Sequence, residues 1–260
     1  MSGIVYAKDG LKLTRNGSGH SVTLDINDVQ SAVNLLIPSE STRMEGFNAV
    51  RVSNDFIGPA SSTLPPELRS VVSGTGNTAD YSGSASCGEF VMTHSNTSEA
   101  QMMRLSSGDA LWVNLSKKPI FHARVKITPA GATMSADQRI VVGLGSAYNS
   151  TLDSVATNAW FRFEGANLNI LTESDDGTTD DDDNDSGIDW VKGTYMNLTI
   201  DCSSLSAVRF KVNSAWIAAT LDLSGVSANT LVQPLFVIQR DAGTEQDVLT
   251  IDWFEVTQER

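Results

Sequence analysis

The sequence predicts an all-β protein: an antiparallel two-sheet jelly-roll sandwich with an extended N-terminal arm. Three observations predict it. Short apolar segments recur at regular intervals from Phe47 to the C-terminus, separated by Gly, Pro, Asn, Asp and Ser clusters of turn chemistry. Several of these segments alternate apolar and polar residues with period two, the pattern of a strand with one buried and one wet face. No segment carries a long amphipathic helical repeat.

Residues 1–45 differ from the rest. They hold short alternating pieces, Ile4-Val5-Tyr6, Leu11-Lys12-Leu13 and Val22-Thr23-Leu24, broken by Gly, Asn and Ser, with a helical turn expected at Asp28 to Leu36. Such pieces cannot bury a core alone, so they read as an arm that docks elsewhere, the alternative being an edge hairpin packed on the main domain. Residues 46–260 read as the sandwich domain. Strands are expected at Phe47–Val52, Phe90–Thr93, Gln101–Leu105, Asp109–Leu115, Ile120–Thr128, Arg139–Leu144 and Ala159–Glu164. Further strands are expected at Leu168–Thr172, Tyr195–Asp201, Ala207–Val212, Trp216–Leu221, Leu231–Gln239 and Val248–Val256. Phe121 to Ile127 and Val208 to Val212 set apolar residues on one face and His or basic residues on the other. Leu235-Phe236-Val237-Ile238 is continuously apolar, as in a strand covered on both sides.

The formal charge is -13. Most of it sits in Thr172 to Asp189, TESDDGTTDDDDNDSGID, which has nine acidic residues and no basic one. Lying between expected strands, this segment reads as a surface loop. The acidic balance argues against nucleic acid as a partner, because phosphate binding needs Lys and Arg clusters. No apolar run reaches the roughly 18 residues of a membrane span. The N-terminus lacks an apolar stretch behind a basic start, so no cleaved secretory signal is expected. Cys87 and Cys202, far apart and in unlike contexts, are expected as reduced, buried thiols.

Candidate chemistry is sparse. Clustered carboxylates are hard oxygen ligands, and Asp181, Asp183 and Asp185 have the alternate spacing of a Ca²⁺ loop. The full motif fails: counted from Asp181, the required Gly and Glu positions hold Ser186 and Lys192. Glycoside hydrolysis needs two carboxyl groups flanking one bond. Asp252 and Glu255 are the tempting pair, but odd spacing on a regular strand sends them to opposite faces. Glu245 and Asp247 have even spacing but precede that strand. His20, His94 and His122 have no nucleophile elbow to serve, and His122 is expected to face solvent or an interface. Catalytic residues are therefore not expected, and the chain reads as a non-enzyme. Among Trp112, Trp160, Trp190, Trp216 and Trp253, Trp190 is expected to be exposed, and with Asp189 and Asn184 it would form a glycan contact.

The residues from about Phe47 onward resemble the concanavalin A-like, laminin-G-like jelly roll of many bacteriophage structural proteins. The likeness rests on Asn54-Asp55-Phe56-Ile57-Gly58, Ser73-Gly74-Thr75, Gly88 to Thr93, the Phe121 strand, the Val208–Ile217 hairpin, Pro234 to Val237 and Leu249 to Val256. It implies a capsid decoration or head-fibre protein, held by residues 1–45 on the major capsid protein. Such a protein would be a homo-oligomer, trimeric where it sits on a symmetry axis, on the capsid exterior of a virion assembled in the host cytoplasm. The same superfamily includes lectins and hydrolases. The alternative expectation is therefore a carbohydrate-binding module of a tail or fibre that recognises surface glycans.

Overall fold

The computed structural model describes residues 4–7, 10–14, 21–24, 49–58, 63–82, 88–165 and 167–260; for those before 49 it describes the backbone alone. His20, Cys87 and the turn expected at Asp28 to Leu36 lie outside the described residues. The chain divides into two units, 1–49 and 50–260. In the first, β1 (Ile4–Ala7), β2 (Gly10–Thr14) and β3 (Ser21–Leu24) form a three-stranded sheet, with antiparallel pairs such as Tyr6↔Leu11 and Leu13↔Val22.

The second unit is a two-sheet sandwich. Its strands are β4 (Ala49–Asn54), β5 (Arg69–Ser73), β6 (Thr78–Tyr81), β7 (Phe90–Thr93), β8 (Gln101–Ser106), β9 (Val113–Asn114), β10 (Ile120–Thr128) and β11 (Gln138–Gly145). They continue with β12 (Asn158–Glu164), β13 (Asn169–Asp175), β14 (Asp180–Asp189), β15 (Tyr195–Asp201), β16 (Val208–Val212), β17 (Ala215–Leu221), β18 (Leu231–Arg240) and β19 (Val248–Glu259). The first sheet runs β17-β16-β15-β10-β19-β7-β6 with β4 beside β19; the second runs β14-β13-β12-β11-β18-β8-β5 with β9 beside β18. Among the described residues the only helical pieces are three-residue 3₁₀ turns.

Alternation builds the core. On β10 the odd residues Phe121, Ala123, Val125 and Ile127 are fully buried, while the even ones form a half-buried outer face. From the facing sheet come Ile140, Phe161, Phe163, Phe236 and Ile238. Rings lock the two sheets together: Phe121 and Phe236 lie 5.8 Å apart, Phe236 and Phe254 5.6 Å, and Phe161 and Phe210 5.3 Å. Each such burial contributes about 1.5–3 kcal/mol.

β18 shows why its sequence runs apolar without a break. Phe236 and Ile238 face the main core, whereas Leu235 and Val237 join Val141, Trp160, Leu152 and Val155 in a second cluster on the outer side. Residues 146–157 fold over that side, so this strand is covered on both faces.

Two readings of the sequence are corrected. The acidic segment is not a loop: its first part ends β13, and its last ten residues form the edge strand β14, paired to β13 through Leu171↔Asp185 and Ser174↔Asp181. The turn between them is held by the Asp176 carboxylate, which accepts from the N–H groups of Thr178 (2.8 Å), Thr179 (2.7 Å) and Gly225 (2.6 Å). Asp has low strand propensity, but an edge strand with exposed side chains tolerates it, and charge on an edge blocks strand addition. Conversely, most of Asp109–Leu115 is not strand; Asp109 has a left-handed φ of 63°, and only Val113–Asn114 pairs.

Gly143 sits at the centre of the second sheet, opposite Trp160. A β-carbon there would strike the Ala159 carbonyl and come 2.6 Å from the Trp160 Cα, which are backbone atoms that cannot step aside. Gly143→Ala is expected to destabilise the domain by about 1–3 kcal/mol. In a thermal melt that is a fall of roughly 2–4 °C for each kcal/mol; an unchanged melting temperature would show that the strand pair relaxes freely.

Candidate functional site

The outer face of the second sheet gathers charge around one buried guanidinium. Alternation puts Trp160, Arg162 and Glu164 of β12 on this face, with Arg139 of β11 opposite Glu164 and Glu173 of β13 opposite Trp160. Arg162 is only 6% exposed. Its Nη1 donates to Glu173 Oε2 at 2.9 Å and to Asp153 Oδ1 at 2.5 Å, and its Nε donates to Glu164 Oε1 at 2.7 Å. Asp183 of β14 stands 3.8 Å from Nε. Arg139 donates to Asp241 at 2.8 Å.

Asp153 comes from the 3₁₀ turn Leu152–Ser154, whose Leu152 is pinned in the second apolar cluster. Packing therefore sets where this carboxylate stands. Two adjoining recesses of about 450 and 250 Å³ share Arg139, Asp153 and Arg162; Asn167 extends the first, and Thr151 and Gln239 the second. Together they make a polar groove with a fixed floor.

Burial dominates the electrostatics. It pushes the Glu173 carboxyl up to about 7, against the opposing pull of Arg162. Burial and the neighbouring Asp180, Asp153 and Asp183 also raise Asp182. Elsewhere, burial and then Arg240 lower His94 to about 4, and burial pushes the Cys202 thiol up to about 12. Both groups are core residues, away from the groove.

The residues singled out from sequence fall differently. Asp181 accepts from the Asp222 N–H, Asp183 faces Arg162, and Asp185 accepts from Asn169 Nδ2. Among the described residues no three His, Cys, Asp or Glu side chains converge as metal ligands. The expectation for Trp190 is corrected: it is 2% exposed, packed in the core, and its indole N–H donates to the Asn167 carbonyl. It therefore offers no stacking surface beside exposed Asp189 and half-buried Asn184. The exposed indole is Trp216, 43% accessible, with the Arg209 guanidinium 4.0 Å from its ring centroid.

Asp247 is a buried clip, accepting from the N–H groups of Ala130 and Ser135. His122 lies on the outer face of the first sheet with Nδ1 3.0 Å from Thr199 Oγ1. Asp252 and Glu255 do not point to opposite faces. The β10–β19 register passes from Arg124↔Trp253 to Val125↔Ile251, so Asp252 is the extra residue of a bulge. The bulge resets alternation: Asp252 pairs with Arg124, Glu255 pairs with Arg51, and both stand on the outer face.

No protein-family model matches the sequence, and no curated protein matches it. Solved structures do. A protein of unknown function from Shewanella oneidensis MR-1 is 14% identical with a TM-score of 0.56, over 95% of this chain and 97% of that one. An endo-1,3-β-glucanase from Streptomyces sioyaensis is 13% identical with a TM-score of 0.56, over 82% and 97%. The Emp47p carbohydrate recognition domain is 11% identical with a TM-score of 0.53, over 80% and 95%. At these identities the likeness shows the fold alone, an antiparallel two-sheet jelly-roll sandwich. The virion-decoration expectation draws no support from these structures. The expectation of a non-enzyme is overturned: the same fold carries a glucanase, and the parity argument that set aside Asp252 and Glu255 fails at the bulge.

The raised Glu173 carboxyl has a consequence for stability. Its protonated form favours the folded chain, so this contribution is full below the unfolded value and is lost as pH rises through about 7. Urea midpoints of the wild type are expected to fall with pH across that window more steeply than those of Glu173→Gln; parallel curves would contradict the assignment.

Proposed function

We propose that the chain is a carbohydrate-binding protein whose glycan lies in the groove on the outer face of the second sheet. The observation that carries this reading is the pair of arginines, Arg139 and Arg162, held by carboxylates along two adjoining polar recesses. Sugar hydroxyls both donate and accept, and guanidinium, carboxylate and amide groups offer both roles along this floor. The groups are pre-braced by one another, so little side-chain freedom is lost on binding. A fold shared with a carbohydrate recognition domain and a glucanase supports the same class of ligand. This reading replaces shell decoration, for which neither the fold nor the groove supplies an observation.

A hydrolytic reading has its own observation. Asp153 and Glu173 both bond Nη1 of Arg162, at 2.5 and 2.9 Å. Sharing one nitrogen keeps the two bonded oxygens no farther apart than about 5–5.5 Å, the separation between carboxyl groups in retaining glycoside hydrolases. Glu173, titrating at about 7, suits the proton donor, and Asp153, with a side chain 55% exposed, suits the ionised partner. Glu173 is 1% exposed, so access requires the groups that cover it to move.

The binding reading is tested on an array of neutral and acidic oligosaccharides. Saturable binding to one class is expected, weakened at least tenfold in Arg139→Met; no binding to any class would refute it. For hydrolysis, release of reducing ends from a soluble β-1,3-glucan is expected to vanish in both Asp153→Asn and Glu173→Gln. Release that persists in both variants dismisses that pair.

A further inference from the structure

The first sheet has its own recess, and the β19 bulge makes it. Asp252 and Trp253 together oppose Arg124 where regular pairing would allow one residue. A bulge bends its strand and re-aims side chains. Here Ile251 and Phe254 stay in the core, while Trp253 turns to the outer side and is half-buried. Trp253 lines a recess of about 350 Å³ with Arg51, Asn54, Asp55 and Glu255.

The Asn54–Asp55 part of the lining runs into a backbone held by its neighbours. Phe56 holds a left-handed φ of 47°, unusual for a bulky residue. Its N–H donates to Asn54 Oδ1 at 2.8 Å, and its ring lies 5.6 Å from Phe90 and 6.0 Å from Tyr81. Gly88 presses against the backbone carbonyls of Asp55 and Phe56, with no room for a β-carbon. A strained backbone fixed by its surroundings beside a recess is characteristic of ligand clamps.

We propose that this recess is a second saccharide site, separate from the groove, that takes one neutral hexose unit. The proposal rests on the carbohydrate reading above. A pyranose presents a face of C–H bonds and a rim of hydroxyls. Trp253 supplies an aromatic wall for the first. The rim meets donors in Arg51 and the Asn54 amide, and acceptors in Asp55 and Glu255. Arg51 and Glu255 form an ion pair, which leaves Asp55 to make the recess net acidic and to disfavour anionic sugars. The volume is near the lower end of ligand pockets, about 300–1,000 Å³, which suits a single ring.

Glucose, galactose, mannose and glucuronate are titrated into the wild type, Trp253→Ala, Arg51→Met and Arg139→Met, read by tryptophan fluorescence and ligand-observed NMR. The Arg51 side chain is 54% exposed, so Arg51→Met folds even if Trp253→Ala does not. Expected is saturable binding of one neutral hexose by the wild type and by Arg139→Met, at least tenfold weaker in both recess variants. No saturation by any neutral hexose at tens of millimolar overturns the pocket, as does saturation unaffected in both recess variants, or preference for glucuronate. The groove reading fails separately, when the oligosaccharide array is silent or its signal is unchanged in Arg139→Met.

Discussion

The guanidinium of Arg162 ties together the parts of the second sheet that matter for its outer face. It joins β12, β13 and the turn carrying Asp153 through direct hydrogen bonds. Removing one partner of such a buried pair leaves a charge without compensation, at a cost of about 3–5 kcal/mol. The ion cluster contributes position more than net stability. Stability comes from the neighbours on either side: Phe161 and Phe163 on the inner face of the same strand, and Leu152 and Val155 pressing on Trp160 from outside. Thus one strand, β12, serves the core, the covering loop and the groove at once.

The two outer faces show different solutions to the same problem. A sheet face must either be wetted or be covered. On the second sheet a loop covers the apolar centre and leaves a charged rim. The first sheet remains half-buried and polar, with Arg124 and Lys126 over the Tyr195 ring at 4.2 and 4.4 Å. The bulge in β19 brings an indole and two carboxylates together on that face, where a regular strand would divide them between the two faces.

Much of the sandwich was legible because its strands alternate. Phe90–Thr93, Ile120–Thr128 and Tyr195–Asp201 were bounded correctly from their periodicity. Strands that lack an apolar face were missed: β5 and β6 lie at sheet edges and are mostly exposed, and β14 is written in aspartates. The site was less legible than the fold. Trp190 follows an acidic stretch yet turns inward to its Asn167 acceptor, and a bulge leaves no local signature that parity counting can detect. Arg162 and Glu173 belong to separate strands, and only pairing brings them together.

The aspartates of β14 have one more consequence. A sheet edge is a row of unanswered backbone donors and acceptors, and in this sandwich β14 closes one end of the second sheet. What keeps another chain from zipping onto it is mutual repulsion between identical carboxylates, a long-range force that salt shortens to about 8 Å at physiological strength. The guard is therefore set by the solvent as much as by the protein. In dilute buffer near neutrality the molecule behaves as a charged colloid with a defended rim. Acid or concentrated salt weakens that repulsion and so lowers the defence.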